Sequence, residues 1–297
     1  MGFWEDASQV PVFKRDWSSQ GLQPRIVFAL LLLGAAAGIW VAHWGESVPT
    51  LVSWWFLVVS LGSLSGGLYW RLVLFETTDF ESSDGARSVI NRWRQVATSA
   101  ILGFILGGLG SVGGEIAGQS PDIGVLLIGL GILFVPLLWL ALYRVTDTEH
   151  TTIVAYLRWS LFVVTLVSLV GFAWTETSGR VLDWGVRLGH IGVFALWIGG
   201  ATWHNFVVLP TVRTSPSVAG GIKSQARRFR RHLPIVIVVV FGTGIFQTIR
   251  LLGYSVSALF GTSLGRLITI KIGILLVLTT LVAINFRQAR HSDHPHG

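Results

Sequence analysis

The chain has 297 residues, 52% of them hydrophobic and only 12% charged, about half the charged fraction of an ordinary soluble domain. Apolar runs of about twenty residues recur along its length, each able to cross a hydrocarbon core of ~30 Å, so a soluble globular enzyme is excluded. The net charge of +7 is gathered in loops between those runs, where it suits an anionic membrane surface rather than nucleic acid.

Residues 1–23 are polar and mixed in charge, without the apolar core and cleavage pattern of a signal peptide. They predict a cytoplasmic arm whose Phe3, Trp4, Phe13 and Trp17 rest in the interface. Hydropathy then predicts eight transmembrane spans at roughly 24–44, 50–74, 97–117, 123–143, 152–174, 184–209, 233–252 and 266–286. The runs are continuous rather than alternating, which points to helices and not to barrel strands. The expected fold is therefore all-α and polytopic. Glycine pairs at 66–67, 107–108, 113–114 and 199–200 offer places where helix backbones can approach closely in lipid.

Basic residues set the expected orientation. Lys14, Arg15 and Arg25 precede the first span, Arg87, Arg92 and Arg94 lie between the second and third, and Arg144 follows the fourth. Arg213, Lys223, Arg227, Arg228, Arg230 and Arg231 lie between the sixth and seventh, and Arg287 and Arg290 follow the last. The alternate connections at 45–49, 118–122 and 175–183 hold only Arg180. The positive-inside rule then places both termini in the cytoplasm of a cell-membrane protein.

The two halves, 24–143 and 152–286, read as a duplication. GGLYWRLVLF at 66–75 aligns with GGATWHNFVVL at 199–209, and NRWRQVATSAILGFILGG at 91–108 aligns with RRFRRHLPIVIVVVFGTG at 227–244. Four spans per half give a parallel 4+4 repeat about an axis along the membrane normal. Under this pairing His190, His204 and His232 stand opposite Leu57, Arg71 and Val96. The second half carries the ionisable chemistry, and the first is scaffold.

Ionisable groups within a span are costly and mark candidate sites. His190 and His204 are fourteen residues apart, nearly four turns and ~21 Å along one helix face, with Trp197 between the two levels. At the outer level Arg187, Arg250, Arg266 and Lys271 form a basic group near His190, and His43 is a possible partner. At the inner level His232 begins the seventh span and can approach His204. For each ring, snorkelling to headgroups is the competing role. Zero cysteines exclude disulfides and thiolate sites, and the single methionine, Met1, removes the thioether ligand. His150 carries no signal, and the tail 287–297, ending HSDHPHG, reads as solvated.

The second half resembles the CopD family of membrane copper-resistance proteins over about 185–287. The residues that carry the likeness are RLGHIGVFALWIGG (187–200), RFRR (228–231), the TG pair (243–244) and LFGTSLGRLITIKIGILLVL (259–278). The resemblance implies copper import or tolerance, with a copper-binding protein outside the membrane as partner. It places His190 at the histidine of an H-x6-W-x-G-G pattern and Arg266 and Lys271 at the family's basic positions. The chain departs from it in lacking any further methionine or cysteine for Cu(I), though imidazole can hold either oxidation state.

Two mechanisms follow. In copper handling, His190, with or without His43, receives the ion outside, and His204 with His232 releases it inside; the basic outer group opposes a cation there. In an electron-transfer subunit, paired histidines ligate haem b, the basic residues pair with its propionates, and a redox partner docks outside. A membrane anchor without ligand is the third reading. No nucleophile-and-base set or phosphate loop points to independent catalysis.

Overall fold

A computed structural model of the chain describes residues 22–118, 122–145, 152–177 and 180–292. The arm up to residue 21, His150 and the last tail residues 293–297 lie outside the described residues. Eight helices are long and apolar enough to cross a membrane, and no strand occurs among the described residues. In chain order they are α1 (Leu22–Ala42), α2 (Val48–Tyr69), α3 (Ser83–Gly118), α4 (Ile123–Arg144), α5 (Thr152–Thr175) and α6 (Val181–Thr202). An amphipathic helix α7 (Ala219–Arg230) leads to α8 (Leu233–Leu252), a short α9 (Val256–Gly261) and α10 (Ser263–Ser292). The helix of α10 thus continues into the first part of the expected tail.

Local chemistry sets the ends. Gly45 turns the chain between α1 and α2 at φ 94°, and Gly253 closes α8 at φ 66°, a conformation that costs other residues more than glycine. Asp122 caps α4 by accepting the Val125 N–H at 2.8 Å. Besides α10, two elements clearly exceed their expected spans. The third begins at Ser83 rather than near 97, because a polar leading stretch hides an apolar stripe of Ala86, Val89, Ile90 and Trp93, all buried. The sixth runs from Val181 to Thr214.

The sixth span is not uniform. After α6 the backbone passes into a π-helical stretch, Trp203–Val208, and a final turn, Leu209–Thr214. Helix α2 ends in the same way, in a π-helical stretch Trp70–Leu74. Both stretches begin at the tryptophan of GG-x-x-W, where the Trp70 N–H reaches the Gly66 and Gly67 carbonyls and the Trp203 N–H those of Gly199 and Gly200. The two indoles stack at 6.3 Å.

The glycine pairs explain how α2 and α6 meet. A Cβ on Gly66 would lie 2.0 Å from the Ala195 carbonyl oxygen, and one on Gly199 would lie 2.4 Å from the Gly66 Cα. Only backbone against backbone fits there. Gly124 and Gly171 do the same for α4 and α5, each facing the other's carbonyl oxygen. The interior is built around α2, where Leu57, Leu61, Leu64, Phe104, Ile128 and Phe172 are fully buried.

The remaining helices pack more loosely. Of the most apolar window of α6, 67% is buried, against 11% for α8 and for α10. Helix α8 lies on α6 and α10 lies on α1, while α8 and α10 scarcely touch. A smaller apolar cluster of Leu31, Trp197, Ile198, Val236, Val240 and Leu278 joins them. The cavity described next opens beside it.

Candidate functional site

Helices α1, α6, α8 and α10, with Val58 of α2 and Phe172 of α5, line a half-open cavity of about 100 Å³. Its walls are almost wholly apolar: Leu30, Leu31, Phe194, Val240 and Leu278 are typical. The exceptions are Arg187, His190 and Lys271. One helix face explains part of this set, since Arg187, His190 and Trp197 are spaced at three and seven residues along α6. Lys271 comes from the opposite wall. Its ammonium sits where Gly38 leaves space, 3.3 Å from the position a Cβ would take there.

The tautomer of His190 follows from its partner. The Thr243 hydroxyl donates to the Val239 carbonyl at 2.5 Å, so its oxygen is free to accept from His190 Nδ1–H at 2.9 Å. Nε2 is then left with a lone pair. A histidine held through one nitrogen and open at the other is the arrangement that metal-ligating imidazoles adopt.

Above the cavity lies a charged node. Glu176, 3% exposed, accepts from Arg187 Nη2 at 2.6 Å and from His43 Nε2 at 2.6 Å. Arg187 Nη1 also donates to Gln247 of α8 at 3.1 Å. His43 Nδ1 meets Glu46 at 2.9 Å, and its ring stacks on Trp54. One carboxylate thereby ties the ends of α1, α5, α6 and α8 together. Burial alone would favour neutral His43, yet the hydrogen bond and charge of Glu176, with those of Glu46, raise its pKa above 6.5. Burial would likewise raise Glu176, but the Arg187 charge and the His43 hydrogen bond outweigh it and hold the carboxyl below 4.5.

The structure redistributes the expected site residues. His190, Arg187, Lys271 and Trp197 line one cavity. Both nitrogens of His43 are engaged by carboxylates. Arg250 pairs with Asp183 at 3.0 Å, which also holds Arg180, and Arg266 is exposed on α10. Two of the four members of the expected basic group, Arg187 and Arg250, thus carry acidic partners. Glu176 was not among the expected site residues: it stands one residue beyond the end of α5, outside any span.

At the opposite end, no hydrogen bond, ion pair or ring contact joins His204 to His232 among the described residues. His232 turns to α2, where its Nε2 meets the Tyr69 hydroxyl at 3.2 Å, and its Nδ1 is buried without a partner. His204 lies half-buried in the π-helical stretch. The arginine-rich α7 does more than face headgroups. Arg228 donates to the Leu74 carbonyl through Nε at 3.0 Å and Nη2 at 2.7 Å, and pairs with Asp79. It thereby caps the π-helical end of α2. No group of three or more metal-ligating side chains occurs among the described residues.

Residues 223–293 match the CopD family, described as Copper resistance protein D. The match runs from α7 through α8 to α10 and holds Arg228, Thr243, Arg266 and Lys271. It begins after His190 and His204, so the likeness read over 187–200 lies outside it. No curated protein and no solved structure matches the chain. Within the CopD match, α8 and α10 supply Val240, Lys271, Ile274, Leu275 and Leu278 to the cavity, and Thr243 to His190.

Proposed function

We propose that the protein is a multi-pass copper-resistance membrane protein that passes copper through the cavity beside His190. The observation that carries this reading is that the CopD-matched helices build two walls of that cavity and supply the hydroxyl that leaves His190 Nε2 open. The copper ion is cargo. A single imidazole with no thiolate or thioether nearby suits a transient stop, with the remaining ligands brought by a carrier outside the membrane or by water. Pairing of Arg187 with Glu176 removes part of the electrostatic cost of a cation at this level, with the Lys271 charge still opposing it.

The haem reading needs a second imidazole facing His190. His43 has both nitrogens committed, and His232 is held by Tyr69. The donor set therefore supports copper handling over bis-histidine ligation.

Duplication belongs to the same proposal. It is supported by the π-helical stretches that begin at Trp70 and Trp203 and by the crossing of α2 and α6 at their glycine pairs. The positive-inside pattern supports an orientation with both termini in the cytoplasm and the His43 end outside.

The test is copper accumulation and copper tolerance in a host strain lacking its own copper-resistance proteins. Wild-type chain should change both. His190→Ala should abolish the change, and Thr243→Val, which frees the ring, should reduce it severalfold, while Gly192→Ala should leave it intact. Equal behaviour of His190→Ala and wild type, at equal membrane expression, would sink the proposal.

A further inference from the structure

The cavity beside His190 has a second property that copper handling does not use. Its charged groups do not balance. Glu176 is shared between Arg187 and His43, and Glu46 serves His43 from the other side. With His43 protonated, one positive charge is left over, on Lys271. No hydrogen bond or ion pair holds the Lys271 ammonium among the described residues, although it lines the cavity within a membrane span. An uncompensated charge in such a place is expensive and calls for an anion.

Below that charge the cavity is hydrocarbon in character. Its walls descend from Gly38 and Lys271 past Gly34 and Ile274 to Leu30 and Leu278, about two turns of helix or ~12 Å. Gly34 and Gly38 keep α1 slim on this side: a Cβ on the first would lie 3.7 Å from Ile274, and the second makes room for Lys271. The wall between α8 and α10 is barely closed, and Cβ atoms on Gly242 or Gly273 would meet nothing within 4 Å. A ligand can therefore enter sideways from the bilayer.

We infer that this cavity binds an amphiphile with an anionic head, a carboxylate or a phosphate, and a hydrocarbon chain. The head sits between Lys271 and Arg187, and the chain lies along α1 and α10 toward Leu278. His190 keeps its Nε2 lone pair and is not a donor to the head. The inference stands on the charge and shape of the cavity, apart from the copper reading, and needs no metal.

The experiment uses the full chain, purified in a mild uncharged detergent and placed in phosphatidylcholine discs. Native mass spectrometry then measures binding of oleate, phosphatidylglycerol and uncharged monoolein. Oleate or phosphatidylglycerol should bind at one per chain and at least about tenfold more tightly than monoolein. Whichever of the two does so identifies the source of the head. Lys271→Met should remove that preference and Lys271→Arg should retain it. Lys271→Met should also melt no lower than wild type in phosphatidylcholine, since it removes an unpaired charge. Equal binding of all three amphiphiles to the wild type, or an unchanged preference in folded Lys271→Met, would overturn the inference. Should Lys271→Met fail to fold, the wild-type comparison with monoolein still decides it. Copper accumulation is not a readout here, so loss of one proposal leaves the other standing.

Discussion

Glu176→Gln tests whether the node above the cavity holds the helices together. The substitution keeps the shape of a side chain that is 3% exposed but removes the charge facing Arg187 and His43, both at 2.6 Å. Arg187 would be left largely buried with only neutral amide oxygens, those of Gln247 and the new glutamine, as acceptors. Breaking one side of a buried pair costs about 3–5 kcal/mol, or roughly 6–10 °C of melting temperature at ~2 °C per kcal/mol for a chain this long. The loss should depend on pH. Glu176 is held below its ordinary 4.5, so its contribution is present above 4.5 and fades as pH falls through the lower folded value. His43 is raised above 6.5, so its contribution is present below 6.5 and fades as pH rises through the higher folded value. The gap between wild type and Glu176→Gln is thus widest from about 4.5 to 6.5 and narrows at both ends. Thermal unfolding in detergent across pH 4–9 reads it. In the Glu176→Gln background, Arg187→Gln should add little, because its partner is already gone. A Glu176→Gln protein that melts with wild type at pH 6, or full additivity of the two substitutions, would refute the reasoning.

Two further expectations concern the scaffold. Gly66→Ala would put a carbon 2.0 Å from the Ala195 carbonyl oxygen, so it should destabilise by at least about 1–3 kcal/mol, whereas Gly192→Ala, with open space around it, should stay within about 0.5 kcal/mol in the same unfolding assay. Asp79→Asn removes one of the two carboxylate partners of Arg228, leaving Glu76 at 3.5 Å and the bonds to the Leu74 carbonyl; it should cost about 1 kcal/mol or less and speed proteolysis of the 75–82 connection, measured on the purified protein.

Hydropathy found the eight spans because each must bury a full apolar length in lipid, and that signal needs no knowledge of neighbours. It failed on α7 and on the start of α3, whose polar faces dilute the average while a narrow apolar stripe does the packing. The grouping of His190, Trp197, Arg187 and Lys271 was readable, since helical spacing and depth depend only on counting residues. Which charges would be neutralised was not. The Glu176 partnership joins residues 133 and 11 apart in the chain, and no periodicity links the end of α1 to the end of α5. The fate of His232 was hidden for a similar reason, because its Tyr69 partner lies 163 residues away.

The placement of the cavity has a physical logic of its own. Its α6 wall belongs to the rigid part of the molecule, fixed to α2 by a glycine crossing that tolerates no added carbon. Its α8 and α10 walls are the least buried spans and hardly touch each other, so one face of each is left to lipid. His190 and Arg187 therefore sit on the more buried wall, while Thr243 and Lys271 sit on the less buried helices. A movement of α8 that broke the Thr243 contact would free His190 Nδ1–H, and with it the constraint on which nitrogen carries the lone pair. The Glu176 node opposes such movement through the Arg187–Gln247 link to α8. Grip on the ring and closure of the Glu176 end are thus two consequences of the same helix position, and a substitution at Gln247 should disturb both together.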